Sequence, residues 1–314
     1  MKHLDLFSGY GGFKLACEKY GIETIGFSEV DKYACAVLKY RFPSIKNYGD
    51  VTRVSAKELP DVDLITGGSP CQDLSTAGKR AGLDGARSGL FFHFVRLIRE
   101  LGPRYFIWEN VKGALSSNQG WDFARVQIEM VEAGYDLQWI VLNSKDYGVP
   151  QNRERIFVVG ARKGCGQEIL RLQEGTEATL GELTAGQSQG YRVYGPELAI
   201  SLASQAGGVG AKTGLYMVND LSRKHPMRYA DHVGTLRTQN RGNGPGLACH
   251  KGVRKLTPLE CERVMGIPDN WTQYGMFDGE TKEISDTQRY KMCGNGVVPQ
   301  CVYPLVEAIE EEIS

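Results

Sequence analysis

The sequence predicts an α/β chain, a mostly parallel sheet flanked by helices, with a smaller irregular region attached. Three observations point there. Short apolar runs alternate with helix-patterned runs down to Arg162, at the spacing of strand–helix–strand units. A glycine-rich turn closes the first of those runs and opens the first helix. From Lys163 to Lys255 the alternation lapses, glycines become frequent and periodicity weakens.

Taken in order, HLDLF reads as a strand, and SGYGG turns it into the helical stretch FKLACEKY. TIGFSE is a second strand, followed by the helix DKYACAVLKYRF, whose Asp31 is placed as N-cap. VDLITGG is the third strand, GLFFHFVRLIREL an amphipathic helix, and RYFIWEN the fourth strand. The helix WDFARVQIEMVEAG and the strands LQWIVL and RIFVVGA complete the alternation. Helical patterning returns at TPLECERVMG, where Thr257 and Glu260 form a capping box, and in VPQCVYPLVEAIEEE. The expected division is a large domain over 1–163, completed by 287–314, and a small domain with a hinge over 164–286.

With 41% apolar and 24% charged residues in 314, the composition is that of an ordinary globular protein. MKHLDLFSGYGG has no basic stretch before an apolar run, and no stretch nears the ~18 apolar residues of a span, so a cytoplasmic protein without signal peptide or membrane segment is expected. The eight cysteines form no CxxC pair and no histidine cluster supplies zinc spacing, so free thiols and no metal are expected. Net charge is zero, but its distribution is not even. Arg192 to Lys255 holds ten Lys or Arg against three Asp or Glu, an excess suited to a polyanion or to a solvated basic loop.

Four stretches carry candidate chemistry. In DLFSGYGGF the glycines let a nucleotide-type ligand approach the backbone, but their spacing is not GxGxxG and no Walker lysine follows. Glu29 in FSEVD, one strand on, is placed for ribose hydroxyls, and Asp50 in YGDVT for an exocyclic amine of adenine. These features fit an adenosine cofactor without pyrophosphate, of which S-adenosylmethionine is the obvious one; each acid could equally be a helix cap. In GGSPCQDLS, Cys71 follows a strand and Pro70, which projects it from the carboxyl edge of the sheet, where open α/β sheets bind ligands. A free thiol with pKa of about 8.5 needs an electropositive setting to react. The following STAGKRAGLDGARSG has the composition of a mobile loop able to close over substrate and contact phosphates through Lys79, Arg80 and Arg87. Glu109 in WEN stands at another strand end, able to hold a ring nitrogen and an exocyclic amine together, as recognition of a cytosine edge requires. Arg153 and Arg155 in QNRERIF suit either a structural network with carboxylates or a grip on substrate oxygen.

Read together and in order, DLFSGYGGF, SEVD, GDVT, GGSPCQDLS, GLFFHFVRLI, WENV, QNRERIFVVG, RKLTPLECERVMGIPD and KMCGNGVVPQ resemble the successive motifs of bacterial and phage DNA (cytosine-5) methyltransferases. The resemblance runs from residue 2 to about 308 and spares the middle segment. It implies the Rossmann-like fold of methyltransferases that use S-adenosylmethionine, with Cys71 as the nucleophile adding to C6 of a flipped-out cytosine. It implies that Glu109 contacts N3 and the 4-amino group, that Arg155 reaches O2, and that Arg153 belongs to the same site. Phe7, Tyr10, Gly12, Glu29, Val30, Asp50, Leu90, Asn295 and Val297 fall on cofactor-contacting positions. Val30 stands where several relatives carry tryptophan, and Gly296 where serine is frequent, departures that touch cofactor affinity more than chemistry. The middle segment lies where the family places target recognition, so Arg237, Gln239 and Arg241 are candidates for base reading in the major groove. The implied partners are double-stranded DNA and an independently acting cognate restriction endonuclease, and the implied state is a monomer. Some relatives methylate tRNA instead, and a DNA-binding regulator on the same fold is a further alternative.

Overall fold

A computed structural model describes residues 1–70, 89–165, 193–194, 215–216, 246–249 and 252–313. Its contacts divide the chain into two units, Met1–Leu142 with Glu154–Gln173 and Cys301–Ser314, and Asn143–Arg153 with Glu174–Gln300.

The first unit is built on a seven-stranded sheet of order β3-β2-β1-β4-β5-β7-β6. The strands are β1 (Lys2–Leu6), β2 (Glu23–Ser28), β3 (Lys46–Asn47), β4 (Leu64–Gly67), β5 (Tyr105–Val111), β6 (Tyr135–Asn143) and β7 (Glu154–Arg162). Pairing is parallel from β3 through β5 and antiparallel between β5 and β7. The mostly parallel sheet expected from the strand–helix alternation is therefore present. Its order reverses at β1, whose neighbours are β2 and β4. Open α/β sheets bind ligands at such a switch point, beyond the carboxyl ends of the strands. The turns after β1 and β4, DLFSGYGG and GGSP, both leave from that point.

The helices follow from local chemistry. In α1 (Gly12–Lys19) and α2 (Lys32–Arg41) the chain crosses between parallel strands. Asp31 caps α2 as expected, its Oδ1 accepting from Tyr33 N at 3.0 Å and Ala34 N at 3.2 Å. In α3 (Gly89–Leu101) the buried side chains Phe91, Phe94, Val95 and Ile98 recur at helical spacing and pack on the sheet core. In α4 (Trp121–Glu132) Phe123, Val126 and Met130 do the same. Phe106 of β5 stacks edge-on against Phe94 and Tyr135, and Gly160 lies opposite it in the β5–β7 register. A methyl group at Gly160 would fall onto the Phe106 ring, so this pair admits only glycine without a shift.

The sheet core also holds a polar chain that hydropathy does not reveal. Thr24, His3 and Thr66 are linked side chain to side chain across β2, β1 and β4 at 2.9 and 2.7 Å, and Thr66 Oγ1 lies 3.4 Å from Asp5 Oδ1. Burial pushes His3 down to about 3, with the charge of Lys14 second. Burial raises Asp5 well above the usual carboxylate range, which favours its protonated form in the folded chain. An unfolded Asp5 ionises above about pH 4, so keeping the proton costs stability increasingly as pH rises from there. Asp5→Asn, which cannot ionise, is therefore expected to raise the melting temperature relative to the parent, by a margin that grows as pH rises above about 4. A pH-independent difference would contradict a protonated Asp5.

Of the second unit, the described strands are β8 (Val193–Tyr194), β9 (Leu215–Tyr216), β10 (Gly246–Cys249), β11 (Gly252–Lys255), β12 (Tyr274–Phe277) and β13 (Glu280–Glu283). These pair as β8 with β9, β10 with β11 and β12 with β13. Its helix α5 (Pro258–Val264) opens with the expected capping box, Thr257 N donating to Glu260 Oε2 at 2.7 Å and Glu260 N to Thr257 Oγ1 at 3.2 Å. Fully buried Glu262 joins α5 to α6 (Asp286–Asn295), its Oε1 accepting from Thr272 N at 2.8 Å and Arg289 Nη2 at 3.0 Å. The last helix, α7 (Pro299–Ile313), keeps Pro304 within it. Among the described residues, no helix is long and apolar enough to cross a membrane, and no group of His, Cys, Asp and Glu could hold a metal.

Candidate active site

Three strand ends of the first unit bring the expected acid and base groups together. β4 delivers Gly67, Gly68, Ser69 and Pro70. Buried Trp108 donates its Nε1 to Ser69 Oγ at 3.1 Å, and Asn110 Nδ2 reaches Ser69 O at 3.4 Å. These two β5 side chains thus fix the backbone immediately before Cys71. Cys71 itself lies outside the described residues, as do Lys79, Arg80, Arg87, Arg237, Gln239 and Arg241.

Glu109 and Arg155 meet across the β5–β7 pair. The register sets Glu109 opposite Phe157 and Val111 opposite Arg155, so the two charged residues are diagonal neighbours on one face. Arg155 Nε and Glu109 Oε1 are 3.0 Å apart, with side chains 11% and 14% exposed. A nearly buried pair of this kind depends on each partner for compensation of its charge. Arg155 Nη1 also donates to Glu154 O at 2.8 Å. Opposite the carboxylate stands Gly68, where a Cβ would come within 2.7 Å of Glu109 Oε2. The sequence marked GGSP as a turn, but nothing in it showed that Gly68 leaves room for a side chain from another strand.

Arg153 belongs to the second unit and is turned to another task. Its Nη2 donates to Gly296 O at 2.7 Å, and both terminal nitrogens lie 3.4 Å from Gly294 O. The guanidinium is buried and braces the turn that carries Asn295, which is exposed, and Val297, which is half-buried. Of the two roles open to the arginines of QNRERIF, the structure thus shows a structural grip for Arg153 and a carboxylate partner for Arg155.

The glycine-rich turn is organised by an acid. Glu29 Oε2 accepts from Gly9 N at 2.7 Å, and its Oε1 accepts from Val30 N and Asp31 N at 2.8 Å each. The Glu29 carboxylate thus clamps the turn onto the end of β2. A carboxylate oxygen accepts two donors, so Oε2 retains capacity for one more. Phe7 (φ 54°) and Gly9 (φ 55°) both take left-handed backbone. For Phe7 that conformation is a strained one of the kind that gathers at functional sites. Nothing lies within 4 Å of a Cβ built on Gly9 or on Gly49, which leaves open space beside both turns. Asp50 Oδ1 accepts from Thr52 N at 2.9 Å, and that bond first of all holds its carboxyl below the usual range. Val30 is 68% exposed, an apolar surface in the open beside Glu29. Tyr10 and Gly12 are buried under the turn, and Leu90 is half-buried against the core.

Residues 1–311 match the model of the C-5 cytosine-specific DNA methylase family. The chain is 32% identical to the type II methyltransferase M.HhaI of Haemophilus parahaemolyticus, over 95% of this chain and 90% of that protein. It is 31% identical to the type II methyltransferase M.Bsp6I of a Bacillus species, over 98% and 97% of the two chains. In fold it resembles the Entamoeba histolytica methyltransferase EhMeth, with a TM-score of 0.70 at 18% identity over 100% of this chain and 99% of that one. With a family match spanning almost its whole length, the chain belongs to the C-5 cytosine-specific DNA methylases.

Proposed function

We propose that this protein transfers a methyl group from S-adenosylmethionine to C5 of a cytosine flipped out of a specific duplex DNA sequence, through a covalent bond between Cys71 and C6. The observation that carries the reading is the paired Glu109 and Arg155 beside the backbone that leads into Cys71, within a chain matched to this family from end to end. Bound S-adenosylmethionine supplies an electrophilic methyl on a sulfonium; the rest is work for side chains. The Cys71 thiolate adds to C6, and the displaced π electrons make C5 a nucleophilic, enamine-like carbon. Glu109 holds N3 and the 4-amino group as the ring gains electron density, and Arg155 meets O2. After C5 has taken the methyl group, loss of its proton expels Cys71 as thiolate and restores the aromatic ring. Extruding the base costs about a few kcal/mol, met by contacts to DNA.

Support for the cofactor assignment is the open cradle at Gly9 and Gly49 with Glu29 and Asp50 at its sides. Arg153 acts here as a positioning residue, holding the Asn295 turn rather than touching the base. The basic segment from Arg192 to Lys255 serves DNA, with Lys79, Arg80 and Arg87 on the loop after Cys71. We further assign the large domain to 1–163 with 287–314 and the target-recognition domain to 164–286, acting as a monomer in the cytoplasm and independently of any cognate endonuclease.

The test is methyl transfer from labelled S-adenosylmethionine to duplex DNA and, in parallel, to tRNA, with bisulfite sequencing of both products. Methylated cytosines at one DNA sequence are expected; methylated tRNA beside untouched DNA would overturn the reading. Gly68→Ala is expected to lower kcat by about 10²-fold, because the new methyl group displaces the Glu109 carboxylate. Full activity in Gly68→Ala would mean that this carboxylate position is not the working one.

A further inference from the structure

One side chain that no motif singles out ties Glu29 to the turn at Gly49 that precedes Asp50. Asn47 ends β3, opposite Phe27 of β2 in a parallel register. Two residues on, just past the end of β2, the Asn47 side chain takes over from backbone pairing. Its Oδ1 accepts from Glu29 N at 3.1 Å while its Nδ2 donates to Glu29 O at 3.1 Å, so the amide meets Glu29 as a neighbouring peptide group would. The same Oδ1 accepts from Gly49 N at 3.0 Å, next to Asp50. Ser28 Oγ closes the other side of that turn, donating to Gly49 O at 2.7 Å. Cys35 adds a third strap, its Sγ donating to Glu29 O at 3.2 Å and accepting from Asn47 Nδ2 at 3.2 Å. Burial, with the Glu29 charge second, pushes that thiol up to about 11, which keeps its proton on sulfur and the bond in place.

We propose that Asn47 is a positioning residue for the methyl donor: it sets the spacing between Glu29 at the end of β2 and the Gly49–Asp50 turn after β3, and so the cradle for the adenosine part. The assignment rests on the S-adenosylmethionine reading given above. Asn47 touches neither Glu109 nor Arg155 in the described contacts, so its influence reaches cofactor binding and leaves chemistry alone. The amide is needed in full, because one face must offer an acceptor to two N–H groups while the other offers donors to a carbonyl and a thiol.

The experiment compares S-adenosylmethionine affinity, kcat at saturating donor, and KM for DNA in the full chain and in Asn47→Ala and Asn47→Asp. Asn47→Ala is expected to weaken donor binding by about tenfold or more, with kcat at saturation and KM for DNA within about twofold of the parent. Asn47→Asp keeps the size and one acceptor but turns an oxygen toward Glu29 O, and is expected to bind the donor no better than Asn47→Ala. Should Asn47→Ala melt too early to assay, Asn47→Asp carries the same comparison alone. Parent-like donor affinity in a folded variant overturns the proposal, as does a loss confined to kcat. A parent protein that binds no S-adenosylmethionine overturns the cofactor reading itself, which separates the two failures.

Discussion

Cys71→Ala is expected to lower methyl transfer by on the order of 10⁴-fold or more while S-adenosylmethionine binding stays at the parent level. The reason is electronic. C5 of a neutral cytosine is a weak nucleophile, and only addition at C6 gives it enamine character. Alanine cannot add, and among the described residues the neighbouring Gly68, Ser69 and Pro70 offer no thiol in its place. In the function proposed, the donor is held by residues of β1, β2 and the turn after β3, and Cys71 is assigned to the base alone. Transfer rate and donor affinity are therefore read separately, by single-turnover transfer and by equilibrium binding. A variant that retained even a tenth of the rate would place the chemistry elsewhere.

Glu109→Gln is the second large effect, an expected loss of about 10²- to 10⁴-fold in kcat. Glutamine keeps the shape and can still accept from Arg155, so the strand pair stays intact. What it loses is the negative charge and the capacity to share a proton with N3 as the ring becomes electron-rich. Because the carboxylate is 14% exposed and paired with Arg155 at 3.0 Å, a folding loss must be separated from a catalytic one. A melting curve does so: a small shift with a large fall in kcat supports proton sharing at the base. Unchanged kcat in Glu109→Gln would reduce Glu109 to an anchor for Arg155.

Most of the sheet was legible from sequence because its strands are short apolar runs between helical stripes, and because Asp31, Thr257 and Glu260 announce their helices. What escaped was pairing. Lys46–Asn47 is too short and polar to read as a strand, yet it closes the sheet beside β2. The hairpin of β12 and β13 is written in YGMF and ETKE, the second strand mostly charged, with no alternation to mark it. At the site, the types and order of Glu29, Asp50, Glu109 and Arg155 were visible. The contacts around them were not: Gly68 leaves room for the Glu109 carboxylate, Trp108 and Asn110 hold Ser69, and the Asn47 amide holds Glu29, all proximities that only folding creates. Arg153 shows the limit most clearly. Two residues from Arg155, it could be read equally as part of a structural network or as a grip on substrate, and only the fold shows its terminal nitrogens on Gly294 O and Gly296 O.

The covalent step is the centre of this account, and a duplex carrying 5-fluorocytosine at the target position tests it most directly. Fluorine at C5 cannot leave as a proton does, so the adduct formed after methyl transfer has no route to elimination. Incubation with S-adenosylmethionine, followed by denaturation and peptide mass spectrometry, is expected to show DNA joined to the peptide containing Cys71. Methylated product without any protein–DNA adduct, or an adduct on another of the eight cysteines, would contradict it.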